Sequence, residues 1–262
     1  MSIHASPALT DDAARIGYRS ILTAANLFGT AGTTGFPLAA IVNPATYERY
    51  TPSAMPATIN CDAGAAVAVD YVAIAAHNLG TKAATVYLES STDNVAWTTR
   101  LTMTPTDDTT IIGLIASVSA RYWRLRITGA TAPTIGVVYL GQVLTMPRNI
   151  YGGHTPITLA RVTAVRPTLS ETGQWLGATQ ERKGFATSFT WKNLTAAWYR
   201  DNFDPFVATN PRARPFFIAW RPKTFPAEAA YCWATDDIKP SNTGTKDFME
   251  VGMSVEGFSD RT

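Results

Sequence analysis

The sequence predicts an all-β chain of two β-sandwich domains, the second carrying one short helix. Three observations lead there. Residues 121–127 (RYWRLRI) put Trp123, Leu125 and Ile127 on one face and Tyr122, Arg124 and Arg126 on the other, as a half-buried strand requires. The same period returns near the C-terminus, where Met249, Val251, Met253 and Val255 alternate with Glu250, Gly252, Ser254 and Glu256. Helical spacing is convincing at one place alone, residues 195–207. With 262 residues, 46% of them hydrophobic, the chain has enough apolar material for two cores of ordinary domain size.

Taken in order, residues 1–25 are weakly periodic and read as an N-terminal arm, with a short helix over 11–18 started by Thr10, Asp11 and Asp12. Residues 26–35 form a Gly/Thr loop. Prolines 37, 44, 52 and 56 then break the chain into short strands and exposed loops. Residues 66–76 (AVAVDYVAIAA) favour a strand through Val67, Val69, Tyr71, Val72 and Ile74. A turn follows at His77, Asn78, Leu79 and Gly80, with Gly80 available for a positive φ. Residues 85–90 (TVYLES) alternate again, Asp93 and Asn94 supply a turn before Trp97, and 135–140 is an apolar run between Pro133 and Gly141, the form of a buried strand.

Pro, Asn and paired Gly in residues 146–153 place a domain boundary, giving an arm over 1–25, a first domain over 26–147 and a second over 148–262. In the second domain, Ile157, Leu159, Arg161, Thr163 and Val165 make an imperfect alternating set, and Trp175 sits in a polar loop. Phe185, Thr187, Phe189 and Trp191 alternate cleanly. Thr195 caps the helix, in which Ala196, Tyr199 and Phe203 share a face and which Pro205 shortens. RPFFIAW and YCWA are aromatic strands, and the Met249–Val255 strand, with Glu250 and Glu256 outward, is expected at an edge or backed by solvent.

Several function classes are set aside. A net charge of +2 without basic runs leaves no footprint for nucleic acid, and no run of about 20 apolar residues is present to cross a membrane. Cys61 and Cys232 read as small buried hydrophobes made in a reducing cytosol, and the N-terminus lacks the basic start and apolar run of a secretory signal. The three histidines, at 4, 77 and 154, form no local metal motif, and no phosphate loop, dinucleotide fingerprint or nucleophile elbow occurs. Asp107/Asp108 and Asp236/Asp237 are adjacent acids, which on a strand point to opposite faces and on a loop are solvated. The expectation is a protein that is not an enzyme and uses no metal or cofactor.

The order of an apolar strand, a Ser-x-Asp-x-x-x-Trp turn (Ser91, Asp93, Trp97), an RYxR strand (Arg121, Tyr122, Arg124) and a final apolar strand resembles the discoidin-type, galactose-binding-like jelly roll over residues 36–144. The pair of cysteines that often ties the ends of such domains is missing. The resemblance implies ligand binding by loops at one end of the roll. The loop 43–55 offers Tyr47, Arg49 and Tyr50 there, with His77 and Asn78 beside it, as contacts for a bacterial surface glycan. Loop anchoring or a subunit contact is the favoured reading of the loop residues, since hydroxyl recognition wants an acid and an amide beside the aromatic, and His77, with no second histidine nearby, reads as hydrogen-bonded to neighbouring loop backbone.

Residues 150–260, with SETGQWLG, WYRDNFDPF, RPFFIAWRP and YCWATDDIKPS in that order, are similar to small tail-associated proteins of long-tailed bacteriophages. That resemblance implies a structural distal-tail or baseplate protein. It would be made in the host cytoplasm, be located in the virion tail, and form a hexameric ring between tail tube and hub. Trp175, Glu250 and Glu256 are the candidate subunit contacts, through an exposed aromatic and a strand edge.

Overall fold

The computed structural model describes residues 2–7, 9, 11–244 and 247–258. They form a mostly β molecule of two sheets, as the sequence predicts, with a 3-10 turn at Leu38–Val42 and one short α/π-helical segment. The first sheet contains β1 (Ile3–Ala5), β3 (Leu27–Gly29), β4 (Ala57–His77), β5 (Thr85–Ser91), β6 (Thr98–Met103), β7 (Ile111–Thr128) and β8 (Ile135–Gly141). The second contains β2 (Arg15–Gly17), β9 (Leu144–Thr145), β10 (Arg161–Leu169), β11 (Trp175–Thr195), β12 (Phe216–Ala219), β13 (Ala229–Ala234), β14 (Pro240–Thr243) and β15 (Phe248–Phe258).

β4 and β7 pair antiparallel along most of their length, with register shifts between Asp62 and Val67 and between Val69 and Tyr71. Such bulges bend a strand pair. The bend divides the first sheet into two facing layers. One half of the pair carries β3 on one side and β5–β6 on the other; the other half carries β8 and, parallel to β7, β1. A core built on Ile59, Val72, Leu88, Trp123, Leu125 and Val138 fills the space between them. Trp123, whose indole N–H donates to the Ala120 carbonyl at 3.1 Å, is its largest side chain.

The second sheet runs β10-β11-β15-β13-β12-β2-β9, with β14 against β15. One face carries Trp191, Phe216, Cys232, Val251 and Met253 and is covered by the helical segment through Tyr199, Phe203 and Phe206. That segment is α-helical over Ala196–Trp198, a π-helix over Tyr199–Phe203 and α-helical again over Asp204–Val207. Thr195 caps it, its Oγ1 accepting from the Trp198 N–H at 3.3 Å. The other face packs Phe217, Ala219, Ala229 and Tyr231 directly on Tyr71, Ala73, Leu114, Val137 and Tyr139 of the first sheet. β8 and β12 are therefore buried on both sides, which is why each reads as an unbroken apolar run.

The N-terminal segment departs from expectation. The helix expected over 11–18 does not form: Arg15–Gly17 is extended and pairs with Phe217–Ala219 and with Leu144–Thr145. Ala14 and Ile16 enter the core beneath the helical segment, while a Cβ at Gly17 would lie 2.5 Å from the Tyr71 ring. Burial on both sides of a three-residue strand outweighs local helix signals. Thr10, the expected cap, lies outside the described residues.

β15 is likewise not an edge. It pairs with β11 on one side and with β13 and β14 on the other. Its solvent-backed face does carry Glu250 and Glu256, which pair with Lys192 at 3.4 Å and Arg182 at 3.6 Å. β11 meets β15 only from Gly184 onward. Residues 161–183 thus leave the sheet as a two-stranded ribbon that exposes Val165, Leu169, Trp175 (65%) and Leu176. The alternating set expected from Ile157 starts as a strand only at Arg161, because Leu159 and Ala160 turn back to the Pro156 carbonyl.

Candidate functional site

The loop predicted to meet a ligand is mostly built into the framework. Tyr50 is fully buried, donates its hydroxyl to the Thr30 carbonyl at 2.8 Å, and bridges through its backbone to Ile135; burial pushes its phenol up to about 12. His77 is buried too. Its Nε2 lies 2.9 Å from the Thr109 carbonyl while Nδ1 accepts from the Leu79 N–H at 3.2 Å, which fixes the proton on Nε2. Burial lowers its pKa to about 4, against smaller opposing effects of the Thr109 hydrogen bond and of Asp108 and Asp107. Asn78 clamps the neighbouring loop, its Oδ1 accepting from the Thr134 N–H at 2.6 Å. Tyr47 and Arg49 are exposed, and Tyr47 donates its hydroxyl to the neighbouring Glu48 at 3.2 Å. The five residues do not converge on one surface.

The adjacent acids also serve the fold. Asp107 caps Thr109 through its N–H and hydroxyl, and Asp108 accepts from the Thr81 N–H at 2.9 Å and hydroxyl at 2.6 Å. Asp237 pairs with Arg212 at 2.8 Å. Among the described residues no three His, Cys, Asp or Glu side chains converge as metal ligands. The Cys61 and Cys232 thiols are buried in separate cores, and burial raises the pKa of both.

A denser polar and aromatic constellation lies on the outer face of β3, β4, β7, β5 and β6. Register aligns Phe28, Asn60, Arg124, Glu89 and Thr99 in one row across five strands. The neighbouring row brings Thr58, Arg126, Tyr87 and Thr102 together. Glu89, whose side chain is 4% exposed, holds the centre. It accepts from Arg124 Nε, from Arg126 Nε and Nη2 at 3.1 and 2.9 Å, and from the Thr99 hydroxyl at 3.1 Å. Burial works to raise its carboxyl pKa, but the hydrogen bonds from Arg126 and Arg124 outweigh it and hold the group below its ordinary value.

The Ser91 turn builds the rim of this face. Ser91 Oγ donates to Asp93 at 2.8 Å and accepts from the Asn94 N–H at 2.9 Å, while Asp93 accepts from the Val95 and Ala96 N–H groups, each at 2.9 Å. Asn94 takes the left-handed conformation, φ 60°. The returning chain lays Trp97 against Arg124, with the guanidinium 4.1 Å from the ring centroid, and Arg126 stacks at 4.0 Å on Tyr87. Both contacts are within cation–π range. At the next position Arg121 forks onto Asp62 at 2.8 and 2.9 Å. Phe28 is 38% exposed, and Asn60 Oδ1 is buried without a hydrogen-bond partner among the described residues. Sequence reading placed Trp97 in a motif and Arg124 on an outward face but did not join them to Glu89 or Asn60, because that juxtaposition depends on register.

No protein-family model matches the chain, and no curated protein matches its sequence. Among solved structures it is similar to chitosan-binding module 1 of a chitosanase/glucanase from Paenibacillus sp. IK-5, at 14% identity over 48% of this chain and 100% of that one, with a TM-score of 0.42. It is also similar to CBM32 of AlyQ, solved in complex with 4,5-unsaturated mannuronic acid, at 18% identity over 47% of this chain and 96% of that one, TM-score 0.39. A family 89 glycoside hydrolase from Clostridium perfringens aligns at 13% identity over 44% of this chain but 14% of its own length, TM-score 0.39.

Proposed function

We propose that the protein is a non-catalytic glycan-binding protein whose binding face is the row Phe28, Asn60, Arg124 and Glu89 with Trp97 and Tyr87 beside it. The observation that carries this reading is the orphaned Asn60 carbonyl set between an exposed ring and a pinned guanidinium. A sugar offers what that row takes: hydroxyl donors for the amide, acceptors for the guanidinium, and an apolar face for the ring. Because Glu89 fixes both arginines in advance, little side-chain entropy is lost on binding.

The test is affinity electrophoresis and titration calorimetry with neutral bacterial envelope polysaccharides. Phe28→Ala and Asn60→Ala are expected to weaken binding by about tenfold each, while Tyr47→Ala leaves it unchanged. Absence of binding, or loss with Tyr47→Ala instead, sinks the proposal.

A second reading is favoured by the projecting ribbon of residues 161–183. An isolated two-stranded ribbon is marginal in water, and this one displays Leu169, Trp175 and Leu176. That supports self-association into a ring, as in a distal-tail or baseplate component of a long-tailed phage located in the virion tail. Tube and hub proteins would be its neighbours. Light scattering on the purified chain is expected to give an oligomer that Trp175→Ser with Leu176→Ser returns to monomer. A wild-type chain that stays monomeric at high concentration excludes the ring.

A further inference from the structure

A cleft of about 600 Å³ opens along the seam where the first sandwich meets the second sheet. Its walls come from both, with Tyr139, Pro44, Pro205 and Pro215 as an apolar lining and Arg19 and Arg214 on its sides. The volume falls within the range of small-molecule sites, about 300–1,000 Å³, and a seam between packed units is where such sites concentrate. Neither Arg19 nor Arg214 is in an ion pair among the described residues, so both guanidinium groups are open to a ligand of opposite charge. Arg19 stacks at 5.0 Å on Tyr18, which also lines the cleft.

A smaller lobe of about 300 Å³ adjoins it, sharing Tyr18, Arg19 and Gln142. Its polarity is opposite. Asp70, Asp201 and Asn202 line it, and Asp70 spends one oxygen on the Val143 N–H at 2.7 Å. One lobe thus offers two guanidinium groups outside any ion pair, one of them over the Tyr18 ring, and the next, which shares Arg19, adds carboxylate and amide acceptors. A free carboxylate pairs with a guanidinium in fork geometry, and hydroxyl groups donate to carboxylates and amides. We infer that this cleft is a binding site for an acidic saccharide, its carboxylate taken by Arg19 and Arg214 and its hydroxyls by the lobe holding Asp70 and Asn202. The site is separate from the outer face of β5 and β7 and does not depend on it.

The probe is tri-galacturonic acid, with a neutral galactose trisaccharide as comparison, measured by calorimetry on the whole chain at low and high salt. The wild-type chain is expected to bind the acidic trimer, more weakly as salt rises, and the neutral one at least about tenfold less tightly. Arg19→Gln with Arg214→Gln should abolish the preference, and Tyr47→Ala should leave it intact. Absence of binding to the acidic trimer, an unchanged affinity in the double-arginine variant, or loss in Tyr47→Ala overturns the inference. Far-UV circular dichroism of the double variant establishes that it is folded; both arginines are exposed, so folding is expected to survive.

Discussion

A Gly80→Ala chain is expected to lose about 3 kcal/mol of stability, read as a lower denaturant midpoint at unchanged slope. The cause is contact, not conformation. Gly80 is free to take a positive φ but does not use that freedom: the left-handed residues around this turn are Ala76 and Ala83, at 54° and 47°. What Gly80 provides is room: a Cβ there would lie 2.4–2.5 Å from the backbone of Asp107. Backbone cannot swing aside as a side-chain tip can. The added methyl must therefore push the His77–Gly80 turn away from the 107–110 segment, pulling on the His77–Thr109 bond as it does. Gly152→Ala is the control, since nothing lies within 4 Å of a Cβ there and its φ is not in the left-handed region; its effect should be near zero or slightly stabilising.

Stability is also expected to fall by about 3 kcal/mol between pH 6.5 and pH 4 through His77 alone. Its folded-state pKa, about 4, lies below the ordinary 6.5, because burial disfavours the imidazolium. Above pH 6.5 both folded and unfolded chains hold a neutral ring, and this contribution is intact. As pH falls through 6.5 the unfolded chain takes up a proton that the folded one refuses, so unfolding is progressively favoured. Below about pH 4 both states are protonated and the loss levels off. Glu89, Asp12 and Asp93, whose folded values lie below ordinary, extend the decline at still lower pH. Denaturant titrations at a series of pH values should show this slope, and His77→Gln should flatten most of it. A smaller residue of the same sign is expected from His154, also lowered by burial. A pH-independent midpoint across this window in the wild-type chain contradicts the assignment.

The elements that could be read from sequence are those whose two faces differ or whose two faces are alike. RYWRLRI alternates because Trp123, Leu125 and Ile127 enter a core while Arg124 and Arg126 stand outside. RPFFIAW does not alternate because β12 has a core on each side. β1 and β2 were not legible: three residues carry too little pattern, and their partners, Ile112–Leu114 and Phe217–Ala219, lie far along the chain. The edge status of β15 was equally out of reach, since alternation reports faces and says nothing of lateral neighbours.

The candidate site divides along the same line. The loop-anchoring reading fits Tyr50 and His77, whose rings are buried and bonded to backbone, while residue type alone leaves a ligand contact open. The Ser91, Asp93 and Trp97 motif did mark the rim of the assembled face. Its centre needed the cross-strand pairing of Glu89 with Arg124, visible in sequence only as two arginines at i and i+2 and an acid in TVYLES.

The apolar seam between the two sheets has a mechanical corollary. Phe217 and Tyr231 meet Tyr139 edge-on, so the second sheet rests on the first through packed rings. Tension applied at the outermost layer, where Phe28 and Trp97 stand, would pass through three packed strand layers to the base of the Trp175 ribbon. Were both proposed contacts to form, the partner held at one extremity would be set at a fixed bearing to the partner at the other.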